Sequence, residues 1–413
     1  MADTVYEDYI PNLIDSMLLN LGVSDSNFLL IKHYNAFNLS SEDISSLAKT
    51  RTRACFLYHS FNAGDMQGVY EPFLDWIKQL YYELSDESID EFLDKSEVYL
   101  LHRPIFKSYF ETGVCERKEE LLISEVEYEQ KYFKEEIVRM LQRLSEKRPM
   151  VLVLNKLHAA GSSTIRLVEE LISNQNSRSI AVLATYNELA PEHKYIKDVW
   201  KSLLAKFDDH DCIIDWTFNS ATLETEMNSV FKFNNHNLSE YCIKLNNMYH
   251  LLAFEQADFY LEIFYHKFEV EKVYIVPQYK FIFLELYARI AMCQDRTSDA
   301  LLYCNGMRAI VEDNDRADWK FKYYYLAAQI HMYSYQPDAA EPYAQKCVEV
   351  CRELEDPFLQ FKTEILQHMI YFQGWRNIWI LLEDKVVNNA LIEKAKKYQY
   401  DNHIAHILSL IHI

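Results

Sequence analysis

Met150-Val151-Leu152-Val153-Leu154 and Ser179-Ile180-Ala181-Val182-Leu183-Ala184-Thr185 decide how the first half of this chain folds. Both runs are continuous and rich in branched apolar residues, the pattern of strands covered on both faces. Between them, Ser163 to Leu171 repeats apolar residues at helical spacing, and Ser173-Asn174-Gln175-Asn176-Ser177 ends that helix. Strand, helix and strand within about 35 residues make a βαβ unit, because only a crossover brings a second strand back parallel to the first. Working outward, Asn27-Phe28-Leu29-Leu30-Ile31 and Ala54-Cys55-Phe56-Leu57-Tyr58-His59-Ser60 read as earlier strands, and Asp211-Cys212-Ile213-Ile214-Asp215-Trp216 as a last one. The expected organisation is a helix at 1–24, an α/β parallel-sheet domain at 25–215 and a linker at 216–237.

From 238 to 407 the period is helical only. A shift of 40 residues superposes Phe281, Phe321 and Phe361; Leu286, Leu326 and Leu366; and Ile290, Ile330 and Ile370. Two of the copies also share Ala288 with Ala328, Ala300 with Ala340, and Tyr303 with Tyr343. Small residues where helices cross, backed by bulky ones, are how helix pairs stack into a superhelix, so these positions are expected to pack the repeats. The array is similar to tetratricopeptide repeats with a lengthened period. Its expected ligand is a protein or peptide partner.

Composition narrows the functions available. Against 42 basic residues stand 62 acidic ones, a net charge of −20 that repels phosphate backbones and anionic membrane surfaces. Neither nucleic acid nor membrane is an expected partner. The first residues, Met1-Ala2-Asp3-Thr4-Val5-Tyr6-Glu7-Asp8, have no basic or apolar leader character, and the eight cysteines include no C-x-x-C, which points to a reduced, cytoplasmic protein. Cys347 and Cys351 read as small core residues of one helix. Glycine is scarce, seven in the whole chain. Average usage for this length would supply about 29, and loops that wrap phosphate depend on glycine for close backbone approach. Neither G-x-x-x-x-G-K-[ST] nor G-x-G-x-x-G occurs.

Three segments in order carry a resemblance. They are Glu71-Pro72-Phe73-Leu74-Asp75-Trp76-Ile77; Arg148-Pro149 with the 150–154 strand, Asn155-Lys156-Leu157-His158 and Ser162-Ser163-Thr164; and Val182-Leu183-Ala184-Thr185-Tyr186-Asn187. Together they resemble signal-transduction ATPases of the origin-recognition-like AAA type, which implies an AAA or P-loop-like domain. In that family the first strand leads into a phosphate loop, and a later strand ends in paired acidic residues. Here Lys32, His33 and the following residues to Asn38 contain no glycine, and Ser40 with Asp43 forms a capping pair whose carboxylate would occupy a phosphate's place. Asn155-Lys156 stands where the acidic pair belongs. An amide and a cation there remove the metal ligand and the base that orients water. The resemblance therefore implies a degenerate ATPase with no cofactor, no metal and no catalytic residue.

Other candidates read as structural. His33, His59, His102 and His158 lack a second ligand at helical spacing, and the charges from Glu116 to Glu136 alternate in sign like a solvated helix face. The whole resembles the input half of a bacterial signalling protein, upstream of a GGDEF-type diguanylate cyclase domain. The competing readings are an ATP-dependent STAND-type transcription regulator and a stand-alone repeat scaffold. Leu408-Ser409-Leu410-Ile411-His412-Ile413 resembles the translation of a transposase-end sequencing adaptor, the other reading being a native amphipathic tail. On the adaptor reading the C-terminal output domain is missing from this chain.

Overall fold

Five parallel strands lie in the order β2-β3-β4-β1-β5. They are β1 (Phe28–His33), β2 (Cys55–Ser60), β3 (Met150–Asn155), β4 (Ile180–Asn187) and β5 (Ile213–Asp215). Every residue of β3 and β4 is buried, whereas the edge strands β2 and β5 are partly exposed. Continuous apolar runs thus became the inner strands, as double-sided coverage requires. The structure is a computed structural model that describes residues 2–21, 27–33, 39–121, 123–174, 179–188, 196–210, 212–215, 231–373, 385–398, 400 and 404.

Helices α1 (Ala2–Asn20) and α2 (Ser41–Thr50) supply one cover of the sheet. Ile10, Ile14 and Met17 of α1 and Ile44 of α2 share a core with Ile31, Val151, Val153, Ala181 and Leu183, which alternate along their strands onto one face. Arg51 closes the helix pair with a two-pronged bond to Asp15, at 2.5 and 2.6 Å. Four helices separate β2 from β3: α3 (Phe73–Leu84), α4 (Ile89–Lys95), α5 (Arg103–Thr112) and α6 (Val126–Lys147). The crossover helices α7 (Ser162–Ser173) and α8 (Lys197–Asp209) follow β3 and β4.

The chain forms two compact units, the first comprising 1–116 and 127–260, the second 117–126 and 261–413. Helices α9 (Leu238–His250) and most of α10 (Phe254–Tyr265), which the sequence reading placed at the start of the array, thus pack with the first unit. The second unit is helical. Its first-position helices α11 (Pro277–Cys293), α13 (Ala317–Tyr333) and α15 (Pro357–Gln373) begin 40 residues apart, as do their partners α12 (Thr297–Asp313) and α14 (Pro337–Leu354); α16 (Lys385–Tyr398) follows.

The turn inside each pair repeats in atomic detail. Asp295 and Tyr335 are left-handed, with φ of 62° and 57°. Behind each, the next amide reaches back five residues, Arg296 to the Ala291 carbonyl and Gln336 to the His331 carbonyl, both at 2.9 Å. This closes the orphan carbonyls of each helix in the same way. Phe281, Leu286, Ala288, Ile290, Ala300, Tyr303, Phe321, Leu326, Ala328, Ile330, Ala340, Phe361, Leu366 and Ile370 are buried, and Tyr343 is half-buried. Among the described residues, no helix is long and apolar enough to cross a membrane.

Candidate functional site

The order of the strands marks where an α/β sheet accommodates ligands. From β1 the chain travels to the far edge at β2, returns through β3 and β4, and then passes β1 to reach β5. Chains leave the neighbours β1 and β4 in opposite directions, and the crevice beyond their carboxyl ends is the topological switch point. The carboxyl ends carry polar residues: His33, Ser60, Asn155, Asn187 and Asp215.

At the end of β3 the side chains close on one another. Asn155 is buried to 1% exposure. Its amide nitrogen donates to the Ser60 hydroxyl at 3.1 Å and to the Tyr58 hydroxyl at 3.3 Å, and its amide oxygen accepts from the Thr185 hydroxyl at 2.8 Å. Thr185 in turn accepts the backbone N–H of Lys156 at 2.8 Å, which holds Lys156 in a left-handed turn with φ of 58°. The Asn187 N–H donates to Nδ1 of His158 at 3.2 Å, which requires that nitrogen to be unprotonated. An aspartate at position 155 could not donate to Tyr58, whose own O–H is already given to the Leu39 carbonyl at 2.7 Å, so the amide suits this acceptor. Asn155 and Lys156 supply no carboxylate at this strand end.

Helix α7 opens just beyond, and its first turn is also spoken for. The Ser163 N–H and hydroxyl both donate to the Gln256 amide oxygen, at 3.2 and 2.7 Å. The Gln256 nitrogen donates to the carbonyls of Gln67 and Gly68, at 3.0 and 3.2 Å. Thr164 donates to the Glu71 carbonyl at 2.7 Å, beside the cis Glu71–Pro72 bond. Gly161 precedes the helix because a Cβ there would lie 2.5 Å from the Gln256 nitrogen. The segment after β2 is thereby pinned to α7 and α10.

Of the residues singled out at the first strand, Lys32 pairs with Glu188 at 2.7 Å and His33 is buried to 3% exposure at the end of β1. Asn38 lies outside the described residues, as does the tail from Leu408 to Ile413. Ser40 caps α2 reciprocally with Asp43: the Asp43 N–H donates to the Ser40 hydroxyl at 3.1 Å, and the Ser40 N–H donates back to the Asp43 carboxylate at 3.2 Å. The structure brings Asn155 and Lys156 together with Thr185, and Lys32 with the end of β4.

A polar cleft of about 780 Å³ opens at the end of edge strand β2, lined by His59, Ser60, Asp65, Glu71, Lys232 and Lys244 among others. Lys244 is committed to the wall: it donates to the Met66 carbonyl at 2.7 Å and pairs with Glu240 at 2.9 Å. Burial pushes His59 below its ordinary value against the pull of Glu71 and Asp75.

The acidic run read as a solvated face needs correction. Glu129 and Glu136, two turns apart on α6, are buried at 4% and 0% exposure around His102, itself 0% exposed. His102 Nδ1 lies 2.7 Å from Glu136, and Nε2 lies 3.3 Å from Glu129. The Tyr99 N–H donates to the other Glu136 oxygen at 2.8 Å, and Phe133 stacks on the imidazole at 4.0 Å. Charge alternation along a sequence does not reveal a partner that arrives from the cap of another helix. Burial opposes protonation of His102, yet the two carboxylates hold it above its ordinary value. Among the described residues, no group of three or more His, Cys, Asp or Glu could hold a metal ion.

No protein-family model matches the chain, and no curated protein and no solved structure is similar to it.

Proposed function

We propose that the chain is a non-catalytic regulatory input region: an AAA-like α/β unit that has lost its phosphate chemistry, joined to tetratricopeptide-like repeats that take a protein or peptide partner. On this reading it works in the bacterial cytoplasm and passes its signal to an output domain of the GGDEF diguanylate cyclase type. The resemblance of the 71–77, 148–164 and 182–187 segments supports the family, and the reading extends the ATPase-like part over 25–215 and the repeats over 238–407.

One observation carries it. At the strand end where the family needs carboxylates for metal and water, Asn155 is buried with its amide oxygen and nitrogen bonded to Thr185, Ser60 and Tyr58. Metal-assisted phosphoryl transfer requires a charged oxygen ligand and a group that orients water, and an amide held in a closed network supplies neither. The α2 N-terminus adds to this, because the Asp43 carboxylate already accepts the Ser40 N–H where a phosphate would sit.

Calorimetric titration of the full chain with ATP and magnesium tests the reading. The expected result is no binding tighter than about 100 µM, roughly −5.5 kcal/mol. Tighter binding would overturn it in favour of an ATP-dependent switch of the STAND type. No binding together with no regulatory partner would leave the stand-alone scaffold.

A further inference from the structure

We propose that the helical array holds a carboxylate-binding site made by Tyr325, Gln329 and Lys362, that the chain's own Glu120 occupies it, and that an acidic segment of a partner protein takes the same place. The 117–126 stretch belongs to the same compact unit as the array. Lys362 of α15 pairs with the Glu120 carboxylate at 2.6 Å, and Gln329 of α13 donates its side-chain N–H to that group. The Tyr325 hydroxyl bonds it too, and burial with this anion beside it raises the phenol well above its ordinary value.

The repeat itself shows that the carboxylate is an import. In the first step of the array, Glu285 of α11 accepts from Arg289 at 3.1 Å and from Lys322 of α13 at 3.2 Å. Burial opposes its charge, but Arg289 and Lys322 hold it below the ordinary carboxylate range. Forty residues on, Lys322 becomes Lys362, Arg289 becomes Gln329 and Glu285 becomes Tyr325. The second step therefore keeps the cation and lacks the acid that its own helix should supply. Glu120 fills that place from outside the repeat. A neutral Gln and a phenol beside one Lys make a site that neutralises a single carboxylate with directional donors.

Its neighbours set the ligand class. Leu121, the next residue of the strap, is buried to 7% exposure, and Lys362 lies over the Tyr325 ring at 5.0 Å. The matching ligand is an acidic peptide with a Glu followed by a large apolar residue, as in Glu119-Glu120-Leu121-Leu122. Side-chain contacts of the strap, about one-fifth exposed at both Glu120 and Lys362, leave the pair within reach of a competitor in solution. The strap is also the stretch that joins α5 to α6 in the chain.

The inference deepens the interaction role proposed for the array and rests on it. Its test uses the full chain and a fluorescein-labelled peptide of residues 116–126, read by anisotropy. Glu120→Ala should bind the peptide about tenfold or more tighter than the unaltered chain, because an occupied site lowers apparent affinity by its free fraction. Adding Lys362→Glu should abolish that binding, and a peptide with Gln at positions 119 and 120 should not compete. Equal affinity for the unaltered and Glu120→Ala chains, no binding to either, or indifference to Lys362→Glu would overturn the proposal. Glu120→Gln, which keeps size and shape, repeats the comparison should Glu120→Ala misfold. Hydrogen exchange in the unaltered chain adds an independent reading: excess peptide should speed exchange across 117–126, and unchanged exchange counts against it. None of these readouts involves nucleotide, so failure of the ATP titration and failure here are separable.

Discussion

The α/β unit and the helical array bury polar groups by opposite means. In the first, single side chains from distant segments lock together: Asn155 with Thr185, Ser163 with Gln256, His102 with Glu136. In the second, the same turn and the same small crossing residues recur in two successive helix pairs built from helices of 17 or 18 residues, and the Glu285 site is answered one step later by Glu120. A lock of unlike partners concentrates stability in a few atoms, whereas a repeat spreads it over equivalent interfaces. Substitutions should separate the two regions by size of effect.

The largest effect is expected at His102. Replacing it by Gln leaves Glu129 and Glu136 buried together without their cation, and breaking a buried pair in this way costs about 3–5 kcal/mol. Urea unfolding followed by tryptophan fluorescence measures the loss. The pH dependence carries a sign as well. Burial works against charge on His102, but Glu129 and Glu136 raise it above its ordinary 6.5. A raised folded value means the contribution is fully present below the unfolded value and lost as pH rises through the folded one. The unaltered chain should therefore lose stability on the alkaline side of 6.5, and His102→Gln should flatten that part of the curve. A variant with unchanged midpoint and unchanged slope would remove the distinction drawn between the units.

A smaller effect is expected in the array. Ala328 is fully buried among Phe321, Tyr325, Met332, Ala340 and Ala344. Ala328→Leu overpacks this crossing and should cost about 1–3 kcal/mol, seen as a lowered thermal midpoint. Neutral behaviour would mean that the helices adjust freely and that Ala328 is no crossing point.

The smallest effect has the opposite sign. Tyr335 is left-handed at φ 57° and 84% exposed, so its side chain contributes little packing to offset the backbone cost. Tyr335→Gly should stabilise the chain by about 0.5–1 kcal/mol, the relief at a left-handed position less the greater freedom of an unfolded glycine. Differential scanning calorimetry resolves a shift of this size, and a loss instead would reveal a packing role for the phenol ring.

By itself the sequence determined the elements and their class. Continuous branched runs at 150–154 and 179–185, separated by a helical segment, read as inner parallel strands, and a 40-residue recurrence of Phe, Leu and Ile reads as stacked helix pairs. Periodicity is local, and it survives in one dimension. Ser40 with Asp43 was legible for the same reason, since a capping pair spans three residues. The tertiary structure alone decided which polar groups meet. Asn155 reads as a lost carboxylate in the chain, and only folding shows an amide matched to Thr185, 30 residues away, and to Ser60, 95 away. Gln256 reaches Ser163 across 93 residues, and Glu120 reaches Gln329 across 209. No spacing rule spans such distances, because a side chain's partner is set by where the backbone has already been carried by apolar burial. Glu129 and Glu136 make the same point: their charges look solvated in sequence, and in the fold they are buried against His102, the residue that caps the start of α5.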